Sequence, residues 1–235
     1  MKFILILLTF ITTNIFATTT TIVAGSTFDY PPLTYTEDGK YLGYDVKIMQ
    51  DFAKYNNLTL QWVKTSWPTL NDDLLSNKFI VAAGGISDNP NRRKLFSISD
   101  PIFITRKAAL IRCKDIDKFH TLADIDSPQI KVVENRGGTN LQVAKEHLKL
   151  AQIITSPNNQ LPFEYLLQGT ADVMFTDDIE IKYKHHKNPL LCMAKLNEQF
   201  QATNKVILFA NNDIGKKLQL QFNSWWRNNK ANYIK

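Results

Sequence analysis

Ala171-Asp172-Val173-Met174-Phe175-Thr176-Asp177-Asp178-Ile179-Glu180 is the stretch on which the reading of the fold turns. Its mostly apolar first half has the length of a buried strand, and an acidic cluster follows where that strand should end and a helix begin. In an open α/β sheet, ligands bind at the carboxyl ends of the strands. Three carboxylates at such a place have two readings. One is local: Thr176 or Asp177 caps the helix, and the remaining acids face the positive end of its dipole. The other is chemical: one of the three is a catalytic acid.

Upstream, strand and helix patterns alternate. Thr20 to Ala24 reads as a strand ended by Gly25-Ser26, and the aromatic and proline loop Phe28 to Tyr35 follows. Asp45 is positioned to cap a helix carrying Val46, Ile48, Met49, Phe52 and Ala53 at helical spacing. A strand of period two begins at Leu58. Pro68 suits the first turn of a helix running to Ser76, and Phe79 to Ala83 is an apolar strand closed by Gly84-Gly85. This β-α-β-α-β order implies an α/β unit with a mostly parallel sheet. Beyond the strand-like run Thr105 to Cys113 the pattern starts again. It passes through Ile130 to Val133, a helix from Thr139 to about Leu148, Ala151 to Thr155, Pro162 to Leu167, and the opening stretch. Val206 to Ala210 is a returning strand, and Asp213 caps a final helix ending in Trp225-Trp226. Two α/β units in series, with crossings near 105–112 and 198–206, place a cleft between two lobes. The division expected is 18–109 with 206–235 as one lobe and 110–205 as the other.

Several residues in this frame have ligand chemistry. Arg92 or Arg93 can clamp a carboxylate with a planar fork, or both can form a solvated surface. Gly137-Gly138-Thr139 lets backbone amides approach an anion at a helix start, or is simply a tight strand-to-helix turn. Trp67, Tyr30 and Phe28 are walls for a ring or packed core, and Lys205 faces the cleft or solvent. His120, His147, His185 and His186 have no metal-ligand spacing and read as surface residues; no metal site or cofactor is expected.

The chain opens Met1-Lys2 and runs apolar to Ile15-Phe16-Ala17, which reads as a secretory signal cut after Ala17. The apolar run is interrupted by Thr9, Thr12, Thr13 and Asn14 and is shorter than the ~20 residues of a membrane span. The net charge of +6 is spread along the chain, which argues against nucleic acid as partner and for attraction to anionic ligands. Export permits disulfides, and Cys113 and Cys192 allow a single intramolecular pairing or remain an unpaired buried pair.

Tyr30-Pro31-Pro32, Gly43-Tyr44-Asp45, Gly84-Gly85-Ile86-Ser87, Arg92, Phe96 to Pro101, Gly138-Thr139 and Thr176-Asp177 together resemble the type II periplasmic solute-binding proteins of family 3. That resemblance implies a periplasmic-binding-protein-like α/β fold of two lobes joined by two crossing strands, a periplasmic location and a small-molecule carboxylate ligand. Trp67-Pro68-Thr69-Leu70, Gly137 to Asn140 and Met174 to Glu180 are more similar to the dehydratases of that family, which act on prephenate and arogenate, than to its transport receptors. The cysteines also match positions where those enzymes have cysteines. The resemblance implies Glu180 as general acid, Arg92 as carboxylate clamp, Gly138, Thr139 and Asn140 as its second half, and Asp177 facing a ligand amine. Gly85, Ser87, Trp67, Tyr30 and Lys205 are expected around the substrate, and Asp178 is left for helix capping. The reaction implied is loss of water with decarboxylation, giving phenylpyruvate from prephenate or phenylalanine from arogenate. The alternative is an amino-acid receptor serving an ABC permease. Arg136 before the paired glycines and Asp88-Asn89-Pro90 depart from the family pattern.

Overall fold

The computed structural model describes residues 20–233; the leader read at Met1–Ala17 lies outside the described residues. The chain begins with β1 (Thr21–Ser26) and a small antiparallel meander, β2 (Asp29–Tyr30), β3 (Thr34–Glu37) and β4 (Lys40–Leu42). Helix α1 (Tyr44–Tyr55), β5 (Thr59–Lys64), α2 (Leu70–Leu75) and β6 (Val81–Ser87) follow, and both strands run parallel to β1 on either side of it. Then α3 (Pro90–Leu95) and β7 (Ser97–Ile98) lead to the long β8 (Phe103–Arg112). The second unit comprises α4 (Leu122–Ile125), β9 (Lys131–Asn135), α5 (Thr139–His147), β10 (Gln152–Ser156), α6 (Leu161–Gln168), β11 (Val173–Asp177), α7 (Asp178–Lys187) and β12 (Leu191–Met193). The chain returns through β13 (Ala202–Phe209) into α8 (Asp213–Asn229).

The strand order β10-β9-β11-β8-β13-β6-β1-β5 joins two α/β lobes through β8 and β13. These pair antiparallel from Arg106↔Ala202 to Phe103↔Lys205 and are the two crossings expected. In the first lobe the apolar stripe of α1 (Ile48, Met49, Phe52) meets Phe222, Trp225 and Trp226 of α8 over the sheet. The final helix therefore packs on the first unit, and Trp226 Nε1 fixes it by donating to the Pro101 carbonyl at 3.0 Å. In the second lobe Ala109, Ile111, Val132, Val173 and Phe175 pack under α5, while Leu110, Met174, Phe163 and Leu166 fill the other face. Among the described residues no helix is long and apolar enough to cross a membrane.

Five local expectations change. Asp45 does not cap α1: Gly43 occupies that position, and the buried Asp45 carboxylate instead accepts the Gly84 and Gly85 amides of β6 at 2.9 and 2.7 Å. Gly84 and Gly85, both at positive φ, bend β6 without ending it, so that the strand runs on to Ser87. A Cβ on Gly85 would lie 2.2 Å from the Tyr30 ring. Pro68 stands outside α2, in the turn before it, and the cap of α8 is Asn212, which accepts the Gly215 amide at 2.9 Å. Asp178 caps nothing with its side chain; its carboxylate accepts the Arg106 amide of β8 at 3.2 Å.

Cys113 and Cys192 are joined, tying the end of β8 to β12 across 79 residues. A loop of that length, closed in the unfolded chain, contributes about 4 kcal/mol on a chain-entropy argument, and measured bridges commonly give less. A Cys113→Ala, Cys192→Ala protein is accordingly expected to unfold in urea with its free energy lowered by about 2–4 kcal/mol. Equal stability in the presence and absence of the bridge would contradict this.

Candidate ligand cleft and buried acid

Strand register delivers the charged side chains to one place. On β8 the alternation that buries Thr105 and Ala109 also buries Lys107, and Lys107 stands directly opposite Asp177 of β11. Lys205 of β13 is paired with Ser87 of β6. Both ammonium groups converge on one carboxylate oxygen: Asp177 Oδ2 accepts from Lys107 at 3.0 Å and from Lys205 at 2.7 Å. The Tyr30 hydroxyl donates to the same oxygen, and Thr105 donates to Oδ1 at 3.0 Å. Burial alone would raise the pKa of Asp177, but Lys107 and Lys205 outweigh it and hold the carboxyl well below its ordinary range. Burial lowers Lys205 to about 8 against the pull of Asp177, and it drives the Tyr30 phenol well upward.

Tyr30, Lys107, Asp177 and Lys205 line a small, partly open cavity together with Trp67, Gly85, Arg92, Gly138, Thr139 and Asn140. Its free volume of about 20 Å³ is room for one water molecule. Arg92, 4 % exposed, donates Nη1 to the Ser87 carbonyl at 2.7 Å, while its Nε has no hydrogen-bond partner. Burial lowers this guanidinium to about 10, so it stays cationic at neutral pH. Facing it from the other lobe is the start of α5, where Gly138 holds the cap position and Thr139 approaches Ser87 Oγ at 3.5 Å. Such a helix start favours an anion. Arg93, by contrast, pairs with Asp88 on the surface.

Glu180 is fully buried in the first turn of α7 and stands one layer behind the cavity. Its Oε1 accepts from the Asn159 side chain at 2.9 Å, and its Oε2 lies 2.6 Å from the Thr176 hydroxyl. Asn159 is the cavity residue between Glu180 and the ligand space. Burial, with Asp177 and Asp29 adding to it against Lys184 and the Thr176 hydrogen bond, pushes Glu180 up to about 8. At neutral pH it is a neutral carboxylic acid, able to donate a proton.

Every substrate-contact residue expected from the sequence lines this cavity, and Glu180 sits directly behind it. Phe28 does not line it; its ring stacks on Tyr41 at 3.7 Å in a larger groove of about 650 Å³ on the other side of Trp67. Three lining residues were not singled out: Lys107, Asn135 and Asn159. Lys107 had a signal, a lysine at an inward register of an apolar strand. Asn135 had a positional one, the carboxyl end of a parallel strand, β9; Asn159, in the loop between β10 and α6, had none. Among the described residues one group has metal-ligand chemistry, Cys113, Cys192 and His185, but its two sulfurs are bonded to each other.

The seam between the lobes is closed by polar contacts. Asp29 accepts from Trp67 Nε1 at 3.0 Å within the first lobe and from the Asn159 amide at 3.2 Å across the seam. Gly137, at φ +81°, lies against the Trp67–Pro68 backbone so closely that a Cβ would be 2.3 Å from the Pro68 nitrogen.

The family described as bacterial extracellular solute-binding proteins, family 3, matches residues 22–232. Cyclohexadienyl dehydratase of Pseudomonas aeruginosa is 35% identical over 193 residues, which cover 82% of this chain and 72% of that one. A probable histidine-binding protein of Campylobacter jejuni is 25% identical over 174 residues, 74% of this chain and 66% of its own. Among solved structures, an ancestral amino-acid-binding protein described as a precursor of cyclohexadienyl dehydratase superposes with a TM-score of 0.83 at 27% identity, over 90% of both chains. An arginine-bound substrate-binding protein of Streptococcus pneumoniae reaches the same TM-score at 21% identity, a likeness of fold.

Gly137→Ala is expected to hold the lobes apart. Its control is Gly39→Ala, which has a similar φ of +72° and nothing within 4 Å of the added Cβ. Small-angle scattering should show a larger radius of gyration for Gly137→Ala alone; identical scattering from both variants would mean that this contact does not limit closure.

Proposed function

We propose, for a chain that belongs to family 3 of the bacterial extracellular solute-binding proteins, that the cleft captures prephenate or arogenate and dehydrates it, with Glu180 as general acid. The observation that carries this reading is a neutral, buried carboxylic acid one residue behind a cavity whose lining holds three cations and one carboxylate. The family's extracellular description and the export signal read at Met1–Ala17 support a periplasmic location.

The substrate has a nonaromatic ring that bears a hydroxyl and a carboxylate, and a side chain that ends in a second carboxylate. The Arg92 fork and the amides at the start of α5 hold one carboxylate between the lobes, bidentate geometry fixing its orientation. Glu180 protonates the ring hydroxyl as its C–O bond breaks, so the leaving group is water and not hydroxide. The electron pair of the bond to the ring carboxylate moves into the ring as carbon dioxide departs, and the ring becomes aromatic. One proton is taken from Glu180 and later returned to it from solvent. No step needs a group beyond these side chains. A substrate larger than the closed cavity requires the lobes to separate, which breaks the contacts of Asn159 with Asp29 and frees its side chain to uncover Glu180.

The relatives taken as a set weigh toward a second reading. Histidine-, cystine- and arginine-binding proteins outnumber the dehydratase among them, and an Arg92 clamp suits the carboxylate of an amino acid equally well. In that reading the chain is a receptor that hands an intact amino acid to an ABC permease. Incubation with prephenate, read as phenylpyruvate absorbance in alkali, separates the two. Product at catalytic turnover supports the dehydratase; no product, with tight calorimetric binding of an amino acid, establishes the receptor.

Glu180→Gln should lower kcat by about 10²–10⁴-fold, the usual contribution of general acid catalysis, and full turnover by that variant would remove Glu180 from the role. Arg92→Lys keeps the charge but loses the fork, so KM should rise. A general acid works only while protonated. In the unmodified enzyme kcat/KM should therefore fall as pH rises through about 8, where Glu180 loses its proton and Lys205 its charge. A profile still flat at higher pH would contradict the assignment.

A further inference from the structure

An acidic residue at the end of β11 is suited to face the ammonium group of an amino acid, and Asp177 was expected to do so. Its surroundings leave no place for one. A carboxylate offers about four lone-pair positions, and Asp177 receives four donors: Thr105, Lys107, Lys205 and Tyr30. All five side chains are buried. A ligand ammonium would have to displace a lysine and leave a second cation unpaired in a site without bulk water, which is the costly way to break a buried ion pair.

The cationic side is the opposite case. An ammonium has three donors, and the hydrogen bonds of Lys107 (Asn140 Oδ1 at 2.5 Å, Asp177) and Lys205 (Ser87 Oγ at 2.9 Å, Asp177) use two on each. The Arg92 Nε is unpartnered as well. Among the described residues no other acid lines the cavity to receive an ammonium. Asp45 is turned into the Gly84 and Gly85 amides, and Asp29 into Trp67 and Asn159. Glu134, fully buried, accepts the Phe175 amide at 2.6 Å and is pushed well up by burial, as Glu180 is.

We infer that the cleft selects a dicarboxylate whose side chain carries a keto group over the same skeleton carrying an ammonium, prephenate over arogenate, and that Lys107 and Lys205 set this choice by occupying Asp177. The inference rests on the dehydratase reading for its substrates. Three lining cations and one lining carboxylate leave two positive charges, which match the two carboxylates of prephenate; arogenate brings a positive charge of its own to the same lysines.

The test uses initial rates of the unmodified protein on both substrates, together with calorimetric titration with the two products, phenylpyruvate and phenylalanine. The expected result is a kcat/KM for prephenate on the order of 10²-fold above that for arogenate, as a like-charge contact implies. Phenylpyruvate should bind more tightly than phenylalanine by a similar factor. Lys107→Met, which opens a lone pair on Asp177, should reduce the preference by about tenfold or more. Asp177→Asn should retain the preference, because Asp177 does not meet the ligand. Arogenate used as well as prephenate, or phenylalanine bound more tightly than phenylpyruvate, overturns the inference even if the enzyme is active. If neither substrate turns over, the dehydratase reading falls, and the titration, which needs no variant and no turnover, still decides the selectivity.

Discussion

The carboxylate of Asp177 is the point through which the two lobes are joined electrostatically. It belongs to β11 of the second lobe, yet its donors come from both crossing strands, β8 and β13, and from Tyr30 at the end of β2 in the first. Bringing one acid and two lysines out of water carries a desolvation cost that mutual attraction only partly offsets. Packed hydrophobic residues would hold the same strands together at least as well. A buried cluster of this kind is therefore better explained by what it does to the cavity than by what it adds to stability. It positions two ammonium groups beside the Arg92 fork, it supports the charge of Lys205 against burial, and its negative charge adds to the burial that keeps Glu180 protonated.

The two roles of the acids follow from environment alone. Asp177 and Glu180 are three residues apart and equally buried. One is surrounded by cations and ionises far more readily than usual. The other has an amide, a hydroxyl and the negative charges of Asp177 and Asp29 near it, which with burial outweigh Lys184, and it keeps its proton to about 8. Pairs of acids driven apart in this manner let a single fold hold an ionised and a protonated carboxyl side by side at one pH. Under the proposed dehydratase reading the solute-binding scaffold needs little more to become an enzyme: the Arg92 side chain and the cleft would serve either activity, and the difference would be concentrated in the layer around the first turn of α7.

Much of this was legible in the sequence because periodicity and turn chemistry are local. The alternation of strands and helices, both crossings, the return of α8 and nearly all of the cavity lining could be read from spacing or from the family resemblance. The acids near helix starts depart from local expectation for one reason. Asp45, Asp178 and Asp177 each stand near a helix start, where a carboxylate ordinarily caps, and each instead serves a distant partner: the Gly84 and Gly85 amides, the Arg106 amide, and the lysines. Gly84 and Gly85 looked like the end of a strand because paired glycines usually are, whereas close approach of Tyr30 and Thr34 requires them inside it. Asn159 enters the site through the tertiary placement of the loop between β10 and α6, for which the sequence carries no local signal, whereas Asn135 stands at the carboxyl end of β9.

The connectivity has a consequence for how the chain acquires its structure. The second lobe is formed from one continuous segment between the two crossings, whereas the sheet of the first is completed by β13 and its core by α8, both from the far end of the chain. A chain that emerges from a translocation channel amino end first therefore presents β1, β5 and β6 long before their last partner strand exists. The second lobe can collapse on local contacts and join Cys113 to Cys192 within itself. The first must wait, with an open sheet edge at β6 that is a site for misassociation until β13 covers it.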